Sequence, residues 1–253
     1  MKRPLFFVLF SLTFLSACQS GETDVKPEEQ ASTLLLTFEN VVGNLPLVLN
    51  EVTYSNPVGE AFTVSKFNYY LSNIRLKKAD GSEYLVPESY FLLQHLDALA
   101  DTLVLNEVPA GEYTGVSFVL GVDSARNCSG AQTGALDPAN GMFWNWNTGY
   151  IFLKLEGSSP QSGNANGNFL YHVGGYKGAT NAIRTITPDL REQTFTVRTG
   201  KRPELHFRVN VLEILKTPED ISFATTYVVH TPADGVKLAN NYQDMFRFDH
   251  LHP

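Results

Sequence analysis

The feature that most constrains the fold of this chain is the alternation of apolar and polar side chains along many short segments. A period of two is typical of β-strands that bury one face, because successive side chains point to opposite sides of a strand. Turn-forming residues separate the segments, as at 79–82 and 109–112. We therefore predict an all-β fold, an antiparallel β-sandwich or barrel-like domain. The alternating segments are residues 33–40, 45–54, 62–86, 101–108, 113–123, 195–200 and 203–215.

Helical patterns are few and the loops are long. Residues 235–246 place apolar side chains at helical spacing, so we predict a short helix near the C-terminus. Residues 124–140 and 158–168 match neither a strand nor a helix, and they flank a segment that contains both tryptophans. Loops of this length in a compact β-domain are often functional. We predict one domain, since no repeat or linker follows residue 32.

The first 32 residues predict targeting to the cell envelope. Lys2 and Arg3 precede an apolar run that is too short to span a bilayer comfortably, and small residues then precede Cys18. This order resembles the lipobox of bacterial lipoproteins. The resemblance implies a signal peptide at 1–17, lipidation of Cys18 and a lipid anchor in a membrane, with the outer membrane favoured. Residues 18–32 are polar and acidic and predict a flexible tether, so the folded domain is expected at 33–253.

Charge and motifs argue against several classes of function. The formal net charge is −7 and the pI is about 5.4, whereas nucleic-acid binding requires a basic face. The sequence has no Gly-rich phosphate loop, no His-Glu pair of the zinc-protease type and no Gly-x-Ser-x-Gly elbow. No order of nucleophile and base is visible either, so a hydrolase ranks last and we expect no enzyme.

Two groups of histidines are candidate metal ligands. His250 and His252 lie two residues apart, so both would project to one face of an extended segment, and Asp249 could bind the ion or orient a ring. The competing interpretation is a solvated tail. His172 precedes Gly174 and Gly175, which permit close approach of a ligand or of backbone. Of the other three, His95 and His206 lie inside strand-like segments and are expected as core or face residues, while His230 stays open.

Both tryptophans lie in one alternating segment. Met142, Trp144 and Trp146 share one face of an extended chain, which favours burial in the core over stacking on a ligand such as a sugar. Outside the N-terminal segment the only cysteine is Cys128. We expect it to be a small buried residue, with a soft metal ligand or an intermolecular disulfide as the alternatives.

Several motifs together resemble the MbnP-like family of copper-binding proteins. The main ones are GMFWNWNTGYIFLKLEG at 141–157 and FLYHVGGY at 169–176, supported by FTVSKFNYYLSNIRL at 62–76 and NNYQDMFRFDHLH at 240–252. The resemblance implies an extracytoplasmic, β-rich protein that binds copper. In some members a tryptophan is oxidised to kynurenine by a partner dihaem enzyme of the cytochrome peroxidase type, and such a partner is implied here.

The resemblance also implies site residues. By motif, His172 matches the family histidine that follows the aromatic strand, and Trp144 and Trp146 match the Trp-x-Trp pair that would be candidates for conversion to kynurenine. His250 and His252 are the next choices for copper ligands. No histidine lies within a few residues of either tryptophan, unlike related copper sites, so the ligand set beyond His172 stays open.

Two functions from different classes follow from these observations. The first is a copper-binding lipoprotein of the cell envelope with no catalytic turnover. The second is a structural or carbohydrate-binding, adhesin-like sandwich without a metal, which the aromatic residues and the Asn-rich loop at 158–168 would suit.

Overall fold

Residues 32–96, 100–130, 132–145 and 147–253 are described by the structure, a computed structural model. The predicted signal peptide, Cys18, the tether and Trp146 lie outside these residues. In the described part, no helix has the length and apolar character needed to cross a membrane.

Strands make up most of the described chain, as the alternation predicts. The strands are β1 (Ser32–Val42), β2 (Leu45–Pro46), β3 (Tyr54–Ser55), β4 (Ala61–Lys78), β5 (Glu83–Leu85), β6 (Tyr90–Gln94), β7 (Ala100–Val108), β8 (Gly111–Leu120), β9 (Phe143–Asn145), β10 (Gly149–Ser158), β11 (Asn168–Gly174), β12 (Arg184–Ile186), β13 (Phe195–Val197), β14 (Glu204–Asn210), β15 (Val228–Val229) and β16 (Phe246–His252). The α-helices are α1 (Ser124–Asn127) and α2 (Pro232–Tyr242). Short 3₁₀ turns occupy Gly134–Leu136, Pro138–Asn140, Gly178–Thr180 and Val211–Leu215.

The strands form two sheets, which confirms the predicted all-β sandwich. The smaller sheet has the order β16-β14-β1-β2, with β7 on the other side of β1. The larger sheet has the order β12-β8-β4-β10-β11-β15, and its short strands β3, β5, β6, β9 and β13 pair with β4, β10 or β8. Most pairs are antiparallel, as predicted, but β1 and β14 run parallel and so do β11 and β15.

Aromatic side chains from the two sheets pack together in the core. The ring of Phe38 on β1 lies 5.8 Å from that of Phe118 on β8 and 5.2 Å from that of Phe207 on β14. Phe246 on β16 approaches Phe118 at 5.1 Å and Tyr69 on β4 at 5.8 Å. All five side chains are nearly or fully buried. Burying each ring contributes about 1.5–3 kcal/mol, so these contacts fix how one sheet lies on the other.

The predicted C-terminal helix is present, with shifted bounds. The Oγ1 of Thr231 accepts a hydrogen bond from the backbone N–H of Asp234, and Pro232 occupies the first turn, so α2 begins before residue 235. It ends at Tyr242, because Phe246 belongs to β16 and is buried against the core. The helix packs on β11, where Gly235 lies against Val173.

A β-bulge separates two halves of the β14–β16 pair. His206 pairs with His250, but the next residue, Phe207, pairs with Phe248, so Asp249 is the extra residue on β16. The bulge returns Phe248 to the buried face while leaving His250 on the outer face beside His206. The sandwich therefore presents a row of polar side chains on the outer face of its smaller sheet.

Candidate metal centre

Three histidines meet on the outer face of the smaller sheet, at the edge strand β16. Along β14, Leu205 and Phe207 point into the core, so His206 between them points outward. Register places His206 opposite His250 and Glu204 opposite His252. One ring nitrogen from each histidine lies within 4.8 Å of the others, and this is the one group of three or more metal-binding side chains found among the described residues.

The three rings have a defined mutual arrangement. The rings of His206 and His250 stack at 4.2 Å with an interplanar angle of 12°. The ring of His252 stands nearly perpendicular to both, at 4.9 Å from His206 and 4.7 Å from His250. The Nε2 atoms of His250 and His252 are 3.1 Å apart. Two nitrogens bound to one ion at about 2.0 Å would lie at a comparable separation.

One carboxylate next to the cluster orients a ring, and a second carboxylate lies beside another ring. Asp249 Oδ2 lies 2.7 Å from His250 Nδ1. This contact favours the proton on Nδ1 and leaves the Nε2 lone pair directed at His252. The Oγ1 of Thr37 donates to Glu204 Oε1 at 2.6 Å, and the same oxygen is 3.1 Å from His206 Nε2. Carboxylate partners of this kind are the usual neighbours of histidine ligands in metal sites.

His206 Nε2 is buried and has no hydrogen-bond partner among the described residues, since its approach to Glu204 lacks hydrogen-bond geometry. Burial lowers the pKa of His206 and outweighs the opposing effect of Glu204, while the neighbouring His250 and His252 lower the pKa further. A lowered pKa favours the neutral ring at pH 7, in which one nitrogen keeps a lone pair that can bind a cation.

The donor set fits a transition metal that prefers imidazole. Three neutral nitrogens suit copper, zinc or nickel, whereas calcium and magnesium require oxygen donors. No thiolate contributes, because the cysteine at position 128 is not part of the cluster.

The structure brings together two of the three predicted histidine ligands. His250 and His252 lie in the cluster, whereas His172 lies on β11 in the larger sheet. The Nε2 of His172 is 2.7 Å from Glu156 Oε1 on β10. Burial lowers the pKa of His172, and hydrogen bonding to Glu156 opposes that effect. His172 therefore has a local hydrogen-bond partner of its own.

Trp144 packs on β11 at Gly174 and is not part of the histidine cluster. A Cβ built on Gly174 would be 3.0 Å from Trp144 Cζ3, so the indole occupies the space of the absent side chain. Residues 172 and 174 point to the same face of β11, roughly 7 Å apart along the strand. The indole is partly buried, and its Nε1 has no hydrogen-bond partner among the described residues. The expectation that Trp144 packs against the core is met in part, because the residue is only partly buried.

Of two further positions, His95 is buried as expected and Cys128 is not. His95 has Nδ1 at 3.2 Å from Asn40 Nδ2 and Nε2 at 3.0 Å from the Leu47 carbonyl, so it is a core histidine. Cys128, expected to be buried, is exposed at the C-terminal end of α1. The expectation was wrong because a four-residue helix leaves its cap at the surface.

The sequence pattern places His206 inside a strand and does not indicate that it is a ligand. Its alternation with Leu205 and Phe207 is a signal that the side chain faces outward. The missing information is the pairing of β14 with β16, because a strand pattern does not specify which strand lies alongside.

Comparison with known proteins identifies relatives of the fold. The model of the MbnP family matches residues 31–232. Among solved structures, MbnP from Methylosinus trichosporium is similar, with a TM-score of 0.51 and 18% identity over 76% of this chain and 80% of that one. At this identity the likeness concerns the fold alone. No curated protein matches.

Proposed function

The chain belongs to the MbnP family, and on this premise we propose that it is a copper-binding lipoprotein of the cell envelope. Its cargo is a copper ion held by His206, His250 and His252 on the outer face of the smaller sheet. The protein binds and presents the ion without catalytic turnover.

The convergence of three imidazole nitrogens within 4.8 Å is the observation that most supports this proposal. Surface histidines that merely hydrogen-bond to water need not stack, and they need no carboxylate on the second ring nitrogen. Here His206 and His250 stack, and Asp249 orients the ring of His250. Both features favour a cation at the centre of the cluster.

Copper is the proposed ion for two reasons. Nitrogen sites bind divalent copper more tightly than the other first-row metals, in the Irving–Williams order. In addition, the family that the motifs resemble is associated with copper. Imidazole binds both oxidation states of copper well, so the same three residues would serve in an oxidising or a reducing envelope.

Metal titration of the purified domain tests this function. The domain from residue 32 onward is freed of metal, dialysed against Cu(II) with a competing chelator, and analysed for bound metal. We expect one copper per chain in the wild type and near-complete loss in the His250→Ala, His252→Ala double variant. His230→Ala, a change at an exposed histidine, is the matched control. Binding no tighter than micromolar in the wild type would refute the proposal.

His172→Ala completes that experiment. If His172 with Trp144 formed the copper site, this variant would lose the metal and the double variant would keep it. We expect the opposite pattern, because His172 Nε2 is engaged by Glu156 and lies on the other sheet.

We further propose that lipid on Cys18 anchors the domain, with the outer membrane as its location. The support is the basic start, apolar run and small residues that precede Cys18. Replacing Cys18 by Ala should move the protein from the membrane fraction to the soluble fraction and abolish labelling by a radioactive fatty acid. Unchanged fractionation would argue against the anchor.

Trp144 is the proposed target of oxidation by a dihaem partner of the peroxidase type, together with Trp146. The support is the Trp-x-Trp motif and the incomplete burial of Trp144. Co-production with such a partner should give the small mass increase of kynurenine on the peptide that contains residues 141–157. Trp144→Phe removes the increase if Trp144 is the target, and Trp146→Phe removes it if Trp146 is.

A further inference from the structure

We propose that Arg191, Arg208 and Arg247 form a binding pocket for a small, multiply charged oxyanion of the polycarboxylate or phosphate class. The pocket lies next to the histidine cluster but does not require a metal, so this inference goes beyond the proposed function. The three guanidinium groups line a cavity of about 250 Å³, together with Asp249 and Asn44. This volume is below that of typical drug-sized sites, which indicates a small ligand.

The charge inside this cavity is unbalanced. Three arginines face one carboxylate, Asp249. That carboxylate is already engaged, with Oδ2 on His250 Nδ1 at 2.7 Å and Oδ1 at 3.6 Å from Arg208 Nε. Among the residues that line the cavity, positive charge therefore exceeds negative charge, which favours an anionic ligand, while Glu39 and Glu213 outside the lining offset part of the charge of Arg208 and Arg247.

The guanidinium groups keep most of their donors unused. Arg208 Nε lies 3.6 Å from both Glu39 and Asp249, and Arg247 Nη2 lies 3.6 Å from Glu213. Charge-assisted hydrogen bonds between arginine and carboxylate are normally about 2.7–2.9 Å long. These pairs are thus longer than hydrogen bonds, and each planar guanidinium group can still bind a carboxylate or phosphate in bidentate fashion.

Arg191 lies in a tight turn at the edge of the pocket. Its φ is 53° and that of the following Glu192 is 61°, as in the two central residues of a type I′ turn, and the Gln193 N–H donates to the Leu190 carbonyl across the turn. The guanidinium lies 5.7 Å from the ring of Phe248, and Nη2 donates to the Phe248 carbonyl at 2.5 Å. The turn and these two contacts hold the guanidinium at the pocket wall.

The pocket shares part of its lining with a larger cavity. Arg191, Arg247 and Phe248 also line a second cavity of about 720 Å³. Arg191 is therefore part of the wall of both cavities. An oxyanion bound here would sit next to Asp249, which contacts His250.

Calorimetric titration of the metal-free domain tests the pocket directly. Citrate and inorganic phosphate are titrated separately at low ionic strength, with acetate as the monovalent comparison. We expect submillimolar binding of citrate, phosphate or both, and weaker binding of acetate. A preference for citrate would identify a polycarboxylate ligand, and a preference for phosphate would identify a phosphate ligand.

Variants assign the binding to the pocket. Arg247→Gln should weaken binding about tenfold or more, because a charge-assisted bidentate contact is lost, and Arg208→Gln should act similarly. Both side chains are at least half exposed, so the fold should survive, which a thermal unfolding curve checks. Arg75→Gln is the matched control, since Arg75 is half exposed, pairs with Glu83 at 3.5 Å and lies on β4.

The inference is overturned if neither anion binds the wild type, or if Arg75→Gln reduces binding as much as Arg247→Gln. Because the titration contains no metal, failure of the histidine cluster to bind copper would not affect it. Conversely, copper binding with no oxyanion binding would retain the proposed function and remove the pocket.

Discussion

His206 extends a pair of terminal histidines to a three-nitrogen cluster. Its neighbours Leu205 and Phe207 bury their side chains, and that burial holds the ring on the outer face beside His250. Burial also lowers its pKa, so the ring stays neutral at pH values where an ordinary histidine begins to take up a proton. A ligand that is neutral before the metal arrives does not need to lose a proton on binding.

Asp249→Asn tests the second coordination sphere. The amide can no longer accept a strong charge-assisted hydrogen bond from His250 Nδ1, so the ring loses its fixed tautomer. We expect copper affinity to fall by about 10–100-fold with little change in stability. The measurement is competition with a chelator of known affinity. Asp244→Asn, at an exposed position nearby, is the control, and equal losses in both variants would contradict the expected role.

Gly174→Ala tests how the indole of Trp144 packs against β11. A Cβ at this position would lie 2.4 Å from the Tyr150 carbonyl oxygen and 3.0 Å from Trp144 Cζ3, so the strand or the ring must move. We expect a loss of about 1–3 kcal/mol in the free energy of unfolding, measured in urea, and a shift in tryptophan fluorescence. Gly115→Ala, where the nearest atom would be 3.5 Å away, should change neither.

Among the elements, the loop after the 3₁₀ turn Val211–Leu215 is held by one carboxylate, that of Glu60. Glu60, directly before β4, accepts hydrogen bonds from Ser222 Oγ and from the backbone N–H of Phe223 and of Ala224. Asn56 Nδ2 donates to the same carboxylate at 2.9 Å. Glu60 therefore ties residues 222–224 to the larger sheet.

The pH dependence of the free energy of unfolding should show the contribution of these hydrogen bonds to Glu60. Burial raises the pKa of Glu60, but the hydrogen bonds from Ser222, Phe223, Asn56 and Ala224 outweigh it and lower the pKa below the ordinary 4.5. The folded state thus binds its proton less tightly than the unfolded state. The stabilisation is complete above pH 4.5 and is lost as the pH falls through the folded pKa.

Glu60→Gln is the corresponding variant. We expect a loss of about 1–3 kcal/mol in the free energy of unfolding at pH 7 and a shallower decline of stability at acid pH. Urea unfolding between pH 7 and pH 3 measures both. Glu51→Gln, at an exposed position, serves as the control. If the free energy of unfolding of the Glu60 variant fell between pH 7 and pH 3 as steeply as that of the wild type, the Glu60 carboxylate would not be what holds residues 222–224.

At the scale of the whole molecule, the two sheets are joined by aromatic contacts around Phe118. Its ring approaches those of Phe38, Phe207 and Phe246 at 5.8, 6.3 and 5.1 Å. Phe118→Ala should cost about 3–5 kcal/mol, because a cavity opens between the sheets and cannot collapse fully. Val104→Ala, at a position 46% exposed, should cost far less. If Phe118→Ala and Val104→Ala lowered the temperature of thermal unfolding equally, the packing of the two sheets would not depend on the aromatic contacts around Phe118.

The sequence predicts the class of this fold well, but it predicts poorly which strands pair and in which direction they run. Alternation predicts β1, β4, β8 and β14 because burial of one face imposes a period of two. It does not predict that β1 and β14 run parallel, since direction depends on the long connection between them.

The same limit applies to the candidate metal centre and to the arginine pocket. His250 and His252 are predicted from their spacing of two, but His206 joins them only through the register of β14 and β16. The pocket brings Arg191 from a loop to Arg208 and Arg247, which no local pattern contains.

The number of histidines bound to copper is the most direct test of the proposed centre. Electron paramagnetic resonance and electron spin echo spectra of the Cu(II)-loaded domain resolve the bound imidazole nitrogens. We predict signals from three histidines in the wild type and two in His206→Ala, with His172→Ala identical to the wild type. Spectra unchanged by the loss of His206, His250 and His252 together, or lost with His172 alone, would contradict it.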